Sequence, residues 1–159
     1  MKILVVSDTH GNINNLVQNM IDMAKFDMIF HLGDYVEDAI KISKIFEIPT
    51  ITVRGNGDFL KTGYKFDEVV DVKGKKIFLT HGHRYNVKYG ITNLYYKALE
   101  LEADVVLFGH THVPMVEAVD GITIMNPGSP TYPRGYNRKN TIGILTINSL
   151  VEGKIIEIK

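Results

Sequence analysis

Five short strings in this chain combine acids, amides and histidines: Asp8-Thr9-His10, Gly33-Asp34, Gly55-Asn56-Gly57-Asp58, His81-Gly82-His83 and Gly109-His110-Thr111-His112. They hold five of the six histidines, and each follows an apolar, strand-like run. Strand ends of an α/β sheet converge on one edge, where ligands bind. Seven donors scattered along the chain can therefore meet at one point: Asp8, His10, Asp34, Asn56, His81, His110 and His112. Such a cluster suits two divalent metal ions. Singly the strings have plainer readings, since Gly-Asp is a turn dipeptide and a strand-end histidine is commonly structural. It is the joint pattern that points to metal.

The spacing has a physical sense. Asp8 and His10 lie two apart, so an extended segment points both the same way, and His110 and His112 repeat the arrangement. Asp34 carries two oxygens and can bridge two ions, and Asn56 offers a neutral amide oxygen. Oxygen and imidazole donors without sulfur favour Mn, Fe, Zn, Co or Ni over a thiolate-type zinc site.

The elements that must position these groups are legible in the periodicity. Lys2 to Ser7 reads as a buried strand. Ile13, Leu16, Val17, Met20, Ile21 and Ala24 mark a helix capped by Asn12. Met28 to Leu32 is a second strand, Val36 to Phe46 a second helix, and Thr50 to Val53 a third strand. This β-α-β-α-β order needs crossovers, so these strands run parallel. Glu68–Val72 and Lys76–Thr80 read as strands, Ile91, Leu94, Tyr95, Ala98 and Leu99 as a helix face, and Asp104–Phe108 as another buried strand. Met115–Val119 and Ile122–Met125 flank the hairpin signal Asp120-Gly121. Thr141–Ile147 and Val151–Ile158 complete the chain. An α/β first half and a β-rich tail are accommodated by two sheets packed face to face.

A chain of 159 residues, 45% apolar, is read as one domain, 1–159, with a sizeable core. With 18 basic and 18 acidic residues, no single-sign field points to nucleic acid or an acidic membrane. The absence of cysteine excludes disulfides, thiolate sites and cysteine nucleophiles. No run has the length of a signal-peptide core or a bilayer span, so a cytoplasmic location is expected.

The order of these motifs, from Asp8 to the turn Asn126-Pro127-Gly128-Ser129, resembles the calcineurin-like metallophosphoesterase family. The chain is most similar to its small single-domain prokaryotic phosphodiesterases, whose fold is shared with a scaffold subunit of retromer. The resemblance implies a four-layer αββα sandwich, with two mixed β-sheets face to face between helices. It implies that Asp8, His10 and His112 hold one ion, that Asn56, His81 and His110 hold the second, and that Asp34 bridges them. The implied cofactors are two divalent ions, manganese first, with Fe, Zn, Co or Ni as alternatives. Such a pair activates a bridging water as hydroxide for in-line attack on phosphorus. The implied substrate is a small phosphate ester, most naturally a diester.

One departure stands out. The family's Gly-Asn-His-Asp string appears as Gly55-Asn56-Gly57-Asp58, so the histidine that assists the leaving group or phosphate is missing. His83, two residues beyond His81, is a candidate replacement and equally a structural residue; with Asp34 and Asn56 it completes the expected catalytic set. Asp58 can orient a metal ligand or form a turn. Arg84 and Arg134 can bind phosphate or sit solvated on the surface. His31, inside an apolar strand, reads as packed. Tyr85, Tyr89, Tyr95 and Tyr96 read as helix and core packing, with Tyr85 a candidate pocket wall. Two other functions compete: a retromer-type scaffold, against which all seven candidate ligands stand, and a nuclease, against which the balanced charge stands. Homo-oligomerisation is left open.

Overall fold

The first strand already contains the logic of the architecture. In β1 (Lys2–Val6), Ile3 to Val6 are all fully buried. Side chains alternate across a strand. Ile3 and Val5 therefore enter one core, and Leu4 and Val6 another. The same sorting recurs in β2 (Met28–His31), where Phe30 and Ile29 part company, in β5 (Lys75–Thr80), where Ile77 and Leu79 part from Phe78, and in β6 (Val105–Leu107), where Val106 faces away from its neighbours. Continuous apolar runs arise because both faces of these strands are covered.

The computed structural model describes residues 1–21, 23 and 25–159. Its remaining elements are α1 (Asn14–Ile21), α2 (Val36–Phe46), β3 (Thr50–Thr52), β4 (Asp67–Val72), α3 (Thr92–Leu101), β7 (Met115–Val119), β8 (Ile122–Asn126), β9 (Thr141–Ile147) and β10 (Val151–Glu157), with short 3₁₀ turns at Asn56–Asp58, His83–Tyr85 and Val87–Tyr89. One sheet has the order β10-β9-β1-β2-β3 and the other β4-β5-β6-β8-β7. β1, β2 and β3 are parallel, as are β5, β6 and β8, while β9, β10, β4 and β7 pair antiparallel. The sheets meet across a core that includes Phe30, Leu32, Leu79, Leu107 and Leu145. Leu16, Met20 and Ile42 bring α1 and α2 onto the outer face of one sheet. Leu94 and Ala98 bring α3 onto the other. This is the expected four-layer αββα sandwich with two mixed sheets.

Local chemistry sets the boundaries. The Asn12 side chain accepts from the Asn14 N–H (3.1 Å), as an N-cap does. α1 ends at Ile21; Ala24, read as part of its apolar face, lies outside the described residues. α2 has no cap from its own preceding residue, Tyr35. Asp58 serves instead, its Oδ1 accepting from the N–H groups of Tyr35 (2.8 Å) and Val36 (3.0 Å). Some packing expectations fail: Tyr89 and Tyr96 are exposed, and Leu99 is half out, because they fall on the solvent side of α3 and the turn before it. Among the described residues no helix is long and apolar enough to cross a membrane.

Candidate metal centre

All five strings leave the ends of β1, β2, β3, β5 and β6, and the two sheets bring those ends to one edge. Hydrogen bonds tie the loops together there. The Asp8 N–H donates to Gly33 O (3.1 Å) and the Gly109 N–H to His81 O (3.1 Å). His81 reaches across from the second sheet, its Nδ1 lying 2.7 Å from Leu32 O of the first.

Two donor groups result. Asp8, His10 and His112 form one, and Asp8, Asp34 and His81 the other. In the first, His112 Nε2 lies 3.2 Å from Asp8 Oδ1 and 3.3 Å from His10 Nε2. Two donors on one ion with bonds of about 2.1 Å lie roughly 3.0–3.4 Å apart; both His112 spacings fall in that range, and His10 Nε2 stands 4.0 Å from Asp8 Oδ1. Asp34 spans both sides: Oδ2 is 3.8 Å from His10 Nε2, and Oδ1 is 3.4 Å from His81 Nε2. His110 stands beside His81, ring centroids 5.1 Å apart, outside both groups. Asn56 opens the 3₁₀ turn next to Asp34 and is exposed. The neighbouring Gly57 N–H donates to Asp34 Oδ1 (2.7 Å).

The backbone does not deliver these side chains in the extended form expected of Asp8/His10 and His110/His112. Asp8 (φ 58), His10 (φ 48), Asp34 (φ 56), His110 (φ 67) and His112 (φ 58) are all left-handed. Such conformations cost on the order of 1–3 kcal/mol each and persist where surrounding structure over-determines them. That determination is visible. Asp8 Oδ2 accepts from Ser7 Oγ (2.6 Å) and the His110 N–H (2.9 Å). Ser129 Oγ donates to Asp8 O (2.8 Å). Gly109 is required here, because a Cβ would fall onto Ser7 Oγ and within 2.8 Å of Asp8 Oδ2.

Imidazole orientation is fixed by carbonyls. His112 Nδ1 lies 2.6 Å from Tyr132 O, and His81 Nδ1 2.7 Å from Leu32 O. A carbonyl only accepts, so each Nδ1 carries a hydrogen, and Nε2 is the ring atom turned to the centre. His31 is fully buried, as expected, and also braces the site. Its Nδ1 accepts from the Gly33 N–H (3.3 Å), and its Nε2 meets Thr9 Oγ1 (3.2 Å), which donates to Asp34 O (3.4 Å).

Burial and neighbouring charge together set the charge states: burial lowers His112, but the Asp8 carboxylate outweighs it and holds the ring above the ordinary imidazole value. Burial alone raises the Asp8 carboxyl, but His112 and His81 outweigh it and bring it to about 2. Burial holds His31 and His110 at about 4, and pushes His10 and His83 below the ordinary imidazole value. Asp8 Oδ1 and His81 Nε2 are buried without a hydrogen-bond partner. Unpaired buried polar atoms are costly, and a cation between them satisfies both. With oxygen and nitrogen donors only, the set fits hard-to-borderline divalent metals.

The remaining candidates separate. Asp58, through Oδ2 on the Gly55 N–H (2.8 Å) and Oδ1 on α2, ties the Asn56 turn to the residues after Asp34, so it both forms the turn and orients a candidate ligand. Arg84 lies 3.7 Å from Asp67 and, with Arg54, over the Phe66 ring. Tyr85 Oη also donates to Asp67 (2.9 Å). Arg134 lines a cleft of about 810 Å³ that includes His10 and His112. His83 packs between Phe66 and the rings of His81 (5.4 Å) and His110 (6.1 Å), its Nδ1 buried and unpaired. Ser7 and the carbonyls of Leu32 and Tyr132 escape sequence reasoning as bracing groups. Asn126, which donates to Gly109 O (2.8 Å), and Ser129 belong to the turn that the family resemblance already included.

This fold and donor set define a class, and the chain belongs to it: the calcineurin-like phosphoesterase superfamily domain matches residues 1–150. The chain is 34% identical to the probable metallophosphoesterase YsnB of Bacillus subtilis, over 94% of this chain and 86% of that protein. It is 30% identical to the phosphodiesterase MJ0936 of Methanocaldococcus jannaschii, over 80% and 83% of the two chains. The crystal structure of Vps29 complexed with zinc from Entamoeba histolytica superposes with a TM-score of 0.80 at 22% identity, covering 99% of each chain; that likeness speaks for the fold alone. The chain is thus a metallophosphoesterase by family and by fold.

Proposed function

We propose that the protein is a phosphodiesterase that hydrolyses small phosphodiesters at a centre of two divalent ions, with manganese the first choice and Fe, Zn, Co or Ni as alternatives. The observation that carries this reading is the Asp34 carboxylate, whose two oxygens face His10 on one side and His81 on the other. Asp8, His10 and His112 would hold one ion, and Asn56, His81 and His110 the second, with Asp34 between them. When bound, such ions supply an activated water near neutral pH and neutralise charge on phosphoryl oxygens. The protein's own groups do the rest. Asp58 and the Gly57 N–H set the Asp34 and Asn56 positions. His83, half-buried beside His81 and His110, would assist the leaving group in place of the histidine that position 57 lacks. The relation to a phosphodiesterase favours diesters. We place the enzyme in the cytoplasm, acting as one domain over residues 1–159.

The test is elemental analysis together with turnover of bis-p-nitrophenyl phosphate after reloading with Mn²⁺. The expected result is about two metal equivalents and metal-dependent hydrolysis. A protein that binds no transition metal at neutral pH overturns the reading and favours a retromer-type scaffold, the second reading, which the Vps29-like fold accommodates. His83→Ala, assayed on esters of graded leaving-group pKa, should lose most on the poorest leaving groups; equal loss across the series removes His83 from that role.

A further inference from the structure

The cleft beside His10 and His112 is much larger than a single phosphoryl group. Its volume of about 810 Å³ lies in the range of sites for whole small molecules. Its lining contains two cations, Arg134 and Arg138, and no carboxylate. In a chain of zero formal net charge this local imbalance is informative. Of the four arginines, Arg54 and Arg84 stack on Phe66, and Arg84 also faces Asp67. Arg134 and Arg138 make no ion pair among the described residues and line the cleft, and both also border a neighbouring cavity that includes Glu157. The Arg134 N–H donates to His112 O (3.1 Å), so the arginine loop is anchored to the donor cluster itself.

The same cleft carries aromatic surface. Tyr35 and Tyr132 each pack edgewise on the His10 ring, at 5.6 and 5.5 Å. They nonetheless remain 42% and 56% exposed. An exposed aromatic pair fixed at a metal-site mouth is unusual for packing alone, and it offers stacking surface to a planar ring. Guanidinium forks match phosphate oxygens.

Resting on the phosphodiesterase reading, we propose that this cleft is a subsite for the substrate's organic arm, recognising an arm that carries an aromatic ring and a further phosphate group. Tyr35 and Tyr132 take the ring, and Arg134 and Arg138 take the second phosphate. The natural substrate class is then a nucleotide-like ester with two separated phosphates, only one of which reacts.

Three p-nitrophenyl diesters with the same leaving group test this: the methyl ester, the thymidine 5′-ester, and the thymidine 5′-ester bearing a 3′-phosphate. For the Mn²⁺-loaded wild type, kcat/KM should rise about tenfold at each addition. Tyr132→Ala should collapse the first ratio and Arg138→Gln the second, while Arg138→Lys restores part of it. A flat wild-type series, or variants that lower all three esters equally, overturns the subsite. Calorimetric titration of metal-free protein with thymidine 3′,5′-bisphosphate gives a reading independent of turnover. Arg138→Gln should weaken binding about tenfold, and an unchanged Kd overturns the proposal. Failure of the enzyme reading is separate: it shows as no turnover of any ester, bis-p-nitrophenyl phosphate included.

Discussion

The two sides of the donor cluster are built differently. On the first, Asp8, His10 and His112 come from the ends of β1 and β6; Asp8 is held by Ser7 Oγ, the His110 N–H and Ser129 Oγ, and His112 by the Tyr132 carbonyl. On the second, His81 is equally buried, but Asn56 rides on an exposed 3₁₀ turn secured by Asp58. The first side is preformed by the sheets. The second includes an exposed turn held by side-chain hydrogen bonds. Under the proposed function, one donor set built into the sheets would fix the metal and the exposed one would face the substrate.

Asp34→Asn tests the comparison most severely, because Asp34 faces both sides. Phosphodiester turnover of metal-loaded protein should fall by more than about 100-fold, the upper end for groups that only orient a ligand, while the circular dichroism spectrum stays unchanged. An unchanged rate removes the bridging role. Gly109→Ala attacks the first side by placing a Cβ on Ser7 Oγ. Overpacking of this kind costs typically 1–3 kcal/mol, to be read as a shift in the urea midpoint. Gly57→Ala on the other side meets only the Asp34 carboxylate, at 3.0 Å, and should cost less. Ser7→Ala removes one of the two donors on Asp8 Oδ2; calorimetry should show metal affinity reduced about 10–100-fold, and an equal loss from Asp58→Asn would erase the distinction between the sides.

A graded effect concerns His31, which braces both sides. Its folded-state pKa, about 4, is depressed below its ordinary 6.5 by burial. Its contribution to stability is therefore complete above pH 6.5 and is lost as pH falls through the folded value, because the unfolded chain takes up the proton first. Metal-free protein should lose up to about 1.4 kcal/mol per pH unit from this group across that window. His31→Gln, compared with wild type by urea unfolding at pH 7, 6 and 5, should show a shallower decline. Parallel curves would assign the pH dependence elsewhere.

Much of this was legible along the chain, and for identifiable reasons. The central strands bury both faces, so they read as unbroken apolar runs, and their ends marked the five strings. α2 ran from Val36 to Phe46 as read, because Pro49 stops what Asp58 starts. The reading of Tyr89 and Tyr96 as packed failed, since an aromatic residue at helical spacing carries no sign of which face it occupies. Arg84 and Arg134, equivalent in sequence, were separated only by what surrounds them: Asp67 and Phe66 for one, the cleft beside His10 and His112 for the other.

Donor types, their order, the loss of the motif histidine at Gly57 and the strand ends that carry them are properties of the sequence itself, because they depend on residue chemistry and short-range periodicity. Tertiary structure alone decided the left-handed turns that aim Asp8, His10 and Asp34 and the carbonyls that orient His81 and His112. These arise from contacts between segments far apart in the chain. Backbone carbonyls, identical at every residue, leave no mark in the sequence by which such contacts can be foreseen.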